Sequence, residues 1–176
     1  MMSLTFVFWL FVVIFAIIGS MRGWAKELLV TFAVILAIFI ITVMERFVPF
    51  ISDSLNSSAR FWLRMAIILA LAFFGYQTPN IPRLAGNNRF ARERLQDTLL
   101  GLFLGAVNGY LIVGSIWYYM NEANYPFPYI TAPDPNTAMG EAALKLIPML
   151  PPHWLGTPAI YFAVAIAFVF VLVVFI

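Results

Sequence analysis

Five apolar runs organise the chain, at residues 4–20, 28–44, 61–77, 98–120 and 159–176, separated by short polar turns and one long connection over 121–158. Each run is close to the roughly 20 residues that an α-helix needs to cross a hydrocarbon core of about 30 Å. The pattern predicts an all-α, polytopic membrane bundle of about five transmembrane helices in one integral membrane domain, residues 1–176. The fourth run, DTLLGLFLGAVNGYLIVGSIWYY, carries Gly101, Gly105 and Gly109 at four-residue spacing. Residues four apart share a helix face, so the three glycines make a bare groove into which another helix can pack backbone to backbone. Asn108 lies beside that groove at about mid-depth, where an amide without a partner is costly in hydrocarbon. A partner from this chain or another is implied. Gly114 falls off the stripe and is expected to tolerate a larger side chain better.

The turns then set an orientation. The first run has no Lys or Arg before it and is followed by Arg22 and Lys26, so it reads as an uncleaved helix and not as a signal peptide. Arg22, Lys26, Arg83, Arg89, Arg92 and Arg94 fall in two turns on one side, while Arg46, Arg60, Arg64 and Lys145 fall on the other. That bias predicts the N-terminus outside and, after five crossings, the C-terminus in the cytoplasm. Arg64 interrupts the third run one turn in and is expected to snorkel to the interface beside Trp62, a belt residue. The stretch from Arg89, with Arg89 and Glu93 at i,i+4, reads as a short surface helix leading into the glycine helix.

The connection over 121–158 holds eight of the eleven prolines and is expected to be an extended outer segment. Within it TAMGEAALKLI, residues 137–147, is amphipathic and predicts a helix lying on the leaflet or on the bundle. The last run has no polar face and no flanking charge, which predicts a lipid-facing peripheral helix or a sequence that stops short.

Composition agrees with the membrane reading and narrows the chemistry. The chain is 63% hydrophobic and 10% charged, with 18 Phe that a soluble domain of this size has no room to bury. A net charge of +2 gives no reason to expect nucleic-acid binding, and no Cys is present for a thiolate, cluster or cysteine zinc site. His153 is the single histidine, so no metal site and no catalytic residues are expected, and the chain is not read as an enzyme. No Asp, Glu, Lys or Arg lies near the middle of a run, which disfavours a proton relay or ion path. Thr31, Thr42, Asn108 and Ser115 are the polar residues at depth and read first as packing residues. In the first turn, RGWAKE, Arg22 and Glu27 are placed to close a salt bridge, Gly23 to supply a positive φ, and Trp24 to sit at headgroup level. No cofactor is predicted beyond bound lipid, although the glycine face also admits a pigment or quinone.

Two stretches carry a resemblance. GSMRGWAKE, residues 19–27, and RLQDTLLGLFLGAVNG, residues 94–109, resemble the paired signatures of the colicin V production protein family, with Arg22, Gly23, Glu27, Asp97, Gly101, Gly105 and Gly109 matching position by position. The resemblance covers roughly residues 4–120. It implies a small bacterial inner-membrane protein of about four crossings, linked to export of a peptide toxin and to the envelope, without an established chemical activity. The expectation is therefore a non-enzymatic scaffold or export-associated component. The proline-rich connection and the last apolar run lie outside that pattern and support an alternative, an accessory subunit of a larger respiratory or photosynthetic complex. A channel or carrier is the third reading. Expected partners are membrane lipids and other membrane subunits or further copies of the chain.

Overall fold

The computed structural model describes residues 3–77 and 91–175 of the chain, and it is helical throughout its regular structure. Four long helices form the bundle: α1, Leu4–Arg22; α2, Trp24–Phe47; α3, Ser57–Tyr76; and α4, Ala91–Glu122. All four are long and apolar enough to cross a membrane. Three shorter helices follow: α5, Ala138–Leu146; α6, Pro151–Trp154; and α7, Ala159–Phe175. The pair formed by Ala138–Trp154 and Ala159–Val173 is bent by 57° and together is long and apolar enough for a fifth, broken span.

The helices run past the expected ends because capping, not hydropathy, stops them. Gly23 alone separates α1 from α2; its φ of 87° lies in the left-handed region that side chains avoid, and its N–H closes α1 on the Gly19 carbonyl at 3.0 Å. Asn56 caps α3 by accepting from the Ala59 N–H at 2.8 Å, and Thr137 caps α5 by accepting from the Gly140 N–H at 3.1 Å. From Ala91 the described residues belong to α4 itself, so the expected separate surface helix is, over that stretch, the first turns of the glycine helix; Arg89 lies outside the described residues.

α4 is the hub. α1 packs along it on one side, α2 and α3 pack on it and on each other, and α7 packs on α2. Val30, Val34 and Ile38 of α2 and Phe61 and Ile68 of α3 are buried in one shared core. α7 lies at the periphery, with Ile160 and Ala167 buried and Phe162, Ile166, Phe168 and Val173 exposed; its Tyr161 and Phe170 rings meet Phe39 and Phe32 of α2. A helix that is apolar all round shows no stripe in its sequence, because in lipid its outer face is as apolar as its packed one.

The connection after α4 is irregular only over its first half. α4 ends with the Tyr125 N–H bonded back to the Met120 carbonyl at 2.9 Å, and Asn124 and Tyr125 take positive φ values of 54° and 55°. Burial pushes the Tyr125 phenol up from its usual range. Further on, α5 docks on α1, and α6 turns back onto α4. The helix expected over residues 137–147 is α5, and only beyond it does the expected extended outer segment give way to α6 and its flanking turns; Ala143, Ile147, Leu150 and Leu155 are buried along this stretch. Gly114 meets this same segment. A Cβ there would stand 2.8 Å from the Pro151 ring, so the position is packed even though it lies off the stripe.

Candidate functional site

The glycines of α4 meet a glycine of α1. Gly19 lies over the groove, and a Cβ on it would overlap the Gly101 carbonyl and stand 2.7 Å from the Gly105 Cα. A Cβ on Gly105 would overlap the Phe15 carbonyl, one on Gly101 the Gly19 carbonyl, and one on Gly109 would stand 2.8 Å from Phe15 Cβ and 3.0 Å from Val12 Cα. The two backbones touch here with no side chain between them, the close approach that small residues permit in membranes. The groove is thus occupied within the chain, by α1.

That contact aligns a buried polar cluster joining all four long helices. Arg22, at the end of α1, donates from Nη1 to Glu27 Oε1 at 2.5 Å and from Nη2 to the Tyr76 carbonyl of α3 at 3.1 Å, with its guanidinium 4.4 Å from the Tyr76 ring. Glu27 is fully buried, and its second oxygen accepts from Asn108 Nδ2 of α4 at 2.7 Å. Asn108 also donates to the Glu27 carbonyl at 2.9 Å, and the Thr31 hydroxyl donates to Asn108 Oδ1 at 2.7 Å. Asp97, about three turns before Asn108 on the same face of α4, accepts from the Trp24 N–H at 3.2 Å and presses its carboxylate on Gly23, where a Cβ would stand 2.9 Å from Oδ1. A negative group at the first N–H of α2 is favoured by the orphan donors there. The cluster therefore gathers Arg22, Gly23, Trp24, Glu27, Asp97 and Asn108 around the start of α2.

Both Glu27 oxygens are engaged, and its charge is matched by one arginine. Such an arrangement offsets the desolvation of a carboxylate in a dry interior, and removing either partner leaves the other charge stranded. Chemically it is a lock, since both carboxylate oxygens already hold a donor. Thr31 departs from the packing role expected of it and belongs to the cluster through its bond to Asn108.

A second arginine forms a counterpart at the opposite end of the bundle. Arg64 turns inward to partners on α2 and α4 instead of reaching out freely beside Trp62. It is buried, donates from Nε to Glu45 Oε1 of α2 at 2.5 Å and from Nη1 to Glu122 Oε2 of α4 at 2.6 Å, and lies 4.5 Å from the Tyr119 ring. Two carboxylates within reach, each taking a charge-assisted bond, hold the guanidinium in one geometry between α2 and α4. Sequence reasoning missed Glu45, Tyr119 and Glu122. The available signal was that both glutamates close apolar runs on the side where Arg64 enters.

Among the described residues no group of His, Cys, Asp and Glu is arranged to hold a metal ion. His153 packs its ring edge-on near Tyr118, 6.4 Å between centroids, and Trp154 donates to the Tyr110 hydroxyl at 3.1 Å. No curated protein and no solved structure matches this chain. The family model for colicin V production protein matches residues 4–132, which takes in α1 to α4, the glycine contact and both arginine clusters. The chain, an integral membrane protein by its apolar helices, belongs to the colicin V production protein family.

Proposed function

We propose that this protein is a non-enzymatic scaffold of the bacterial inner membrane, associated with export or with envelope organisation, with its N-terminus outside and the Arg22 end in the cytoplasm. One observation carries the reading: among the described residues, the charged side chains buried between the helices are neutralised inside the chain, Glu27 by Arg22 and Arg64 by Glu45 and Glu122. A carrier or pump works through a buried charge that changes partner, and these charges are committed to holding helices together. Reconstitution into liposomes tests it, with no flux of ions or small solutes expected. Flux above that of empty vesicles would overturn it.

Orientation is tested separately, because the chain has no native cysteine. Met21→Cys and Tyr129→Cys mark opposite ends at positions 82% and 95% exposed. A membrane-impermeant maleimide applied to intact cells stripped of their outer membrane should label Tyr129→Cys and spare Met21→Cys until lysis. The opposite pattern would invert the proposed topology.

A second reading is favoured by α7, which lies beyond the family match and presents an apolar face to the surroundings. As an accessory subunit, the protein would use α7 and the outer face of α1, with Phe6, Trp9 and Val13, against neighbouring subunits. Gentle-detergent purification followed by native mass spectrometry separates the two. Stoichiometric companions carrying pigment or quinone would favour the subunit, whereas a monomer or small homo-oligomer with lipid favours the scaffold.

A further inference from the structure

A polar cavity of about 270 Å³ opens at the Arg64 end, lined by Ser57, Arg60 and Arg64 of α3 and by Glu122 and Ala123 at the end of α4. Its position fixes its surroundings. α3 begins and α4 ends beside it, so it stands where the apolar spans give way to polar headgroups. Trp62, half exposed one turn into α3 and packed edge-on against Phe127 at 5.4 Å, marks the same level as an interfacial ring.

The walls are chemically unlike. On the α3 side stand the Ser57 hydroxyl, the positive end of a 20-residue helix and two guanidinium groups. A guanidinium carries five N–H donors, and the bonds that fix Arg64 to Glu45 and Glu122 engage its Nε and Nη1, leaving donors at Nη1 and Nη2 beyond those two bonds. Arg60 is held at the rim by its own bond to the Leu55 carbonyl at 3.2 Å. On the α4 side stands Glu122, whose side chain remains 40% exposed after pairing with Arg64. A carboxylate accepts several bonds, so it retains acceptor capacity toward the cavity.

Donors on one wall and a carboxylate on the other fit a ligand that carries an anion and an N–H cation together. We infer that this cavity binds the headgroup of a zwitterionic, phosphoethanolamine-type lipid, with its phosphate toward Ser57 and the arginines and its ammonium toward Glu122. A purely anionic headgroup would bring negative charge against Glu122. A trimethylated choline would offer Glu122 no donor. A cavity of this size at the end of the spans takes a headgroup and leaves the acyl chains in the bilayer.

The protein is reconstituted into nanodiscs containing equal amounts of phosphatidylethanolamine, phosphatidylcholine and phosphatidylglycerol, released into native mass spectrometry, and the retained lipid is counted. Wild type should retain phosphatidylethanolamine about tenfold over each of the other two, the factor expected of one charge-assisted hydrogen bond. Glu122→Gln keeps an acceptor for Arg64 and should bring the ethanolamine-to-choline ratio to about one. Arg60→Ala should lower retention of phosphatidylethanolamine, and Lys145→Ala, on the exposed face of α5, should leave it unchanged. In a separate arm, soluble phosphoethanolamine is added to phosphatidylcholine nanodiscs. A rise in melting temperature with the solute would make the headgroup alone sufficient, and a rise only with the lipid would make the bilayer the source; either supports the site. Equal retention of the three lipids by wild type, an unchanged ratio in Glu122→Gln, or an equal loss in Lys145→Ala would overturn it.

Discussion

Two arginine clusters tie the helices at opposite ends of the bundle, and they differ in how they exclude water. At the Arg22 end the carboxylate is fully buried, the amide of Asn108 fills its second oxygen, and backbone contact at Gly19 and Gly105 seals one flank. At the Arg64 end the arginine is buried but its carboxylates are not, with Glu45 26% and Glu122 40% exposed. The first cluster is a closed joint. The second stays open to the interface, and a polar cavity adjoins it. Burial decides which of them is rigid, since a charge that can reach water when its partner is lost has an escape that a dry one lacks.

Substitutions can break this comparison, and the largest effect is expected at Glu27. Glu27→Ala leaves the fully buried Asn108 amide without its carboxylate and Arg22, 20% exposed, without its counter-ion, and should cost about 3 kcal/mol or slightly more, read as unfolding in mixed micelles. A loss below about 1 kcal/mol would mean that water already enters the joint. Gly105→Leu comes next, at about 3 kcal/mol, because its side chain must force apart a pair of touching backbones. Gly114→Leu should also destabilise by about 1–3 kcal/mol through the Pro151 contact, and indifference to it would place α6 away from α4.

Arg64→Leu should cost about 2 kcal/mol, less than Glu27→Ala, because Glu45 and Glu122 rehydrate when the arginine is gone. Equal losses at Glu27 and Arg64 would erase the distinction between closed and open ends. The smallest effect is expected from Asn56→Ala, which removes the cap of α3 beside the cavity and should lower thermal stability by about 1 kcal/mol. These measurements rank the two ends on one scale.

The family match ends at residue 132, and the structure divides at nearly the same place. α1 to α4 carry both clusters, while α5 to α7 attach largely by apolar contacts: Ala143 near the start of α1, Pro151 on Gly114, and rings of α7 against α2. The appended helices therefore add surface and packing without entering either polar joint.

Much of the architecture was legible in the amino acids. Apolar runs of bilayer length require helices, since in hydrocarbon a backbone must satisfy its own hydrogen bonds. Glycines spaced by four must form a groove, and Arg22 and Glu27 stand five positions apart across one turn, where chain connectivity alone brings them within reach. The tertiary structure alone decided what filled the groove and what answered the remaining charges. Glu45 and Glu122 reach Arg64 from 19 and 58 residues away, Asn108 reaches Glu27 from 81, and Pro151 closes on Gly114 through a connection whose prolines suggested no return. Local pattern encodes which face of a helix is bare or charged, but in lipid every face is apolar, so the choice of neighbour rests on shape and on buried partners that only the folded chain brings together.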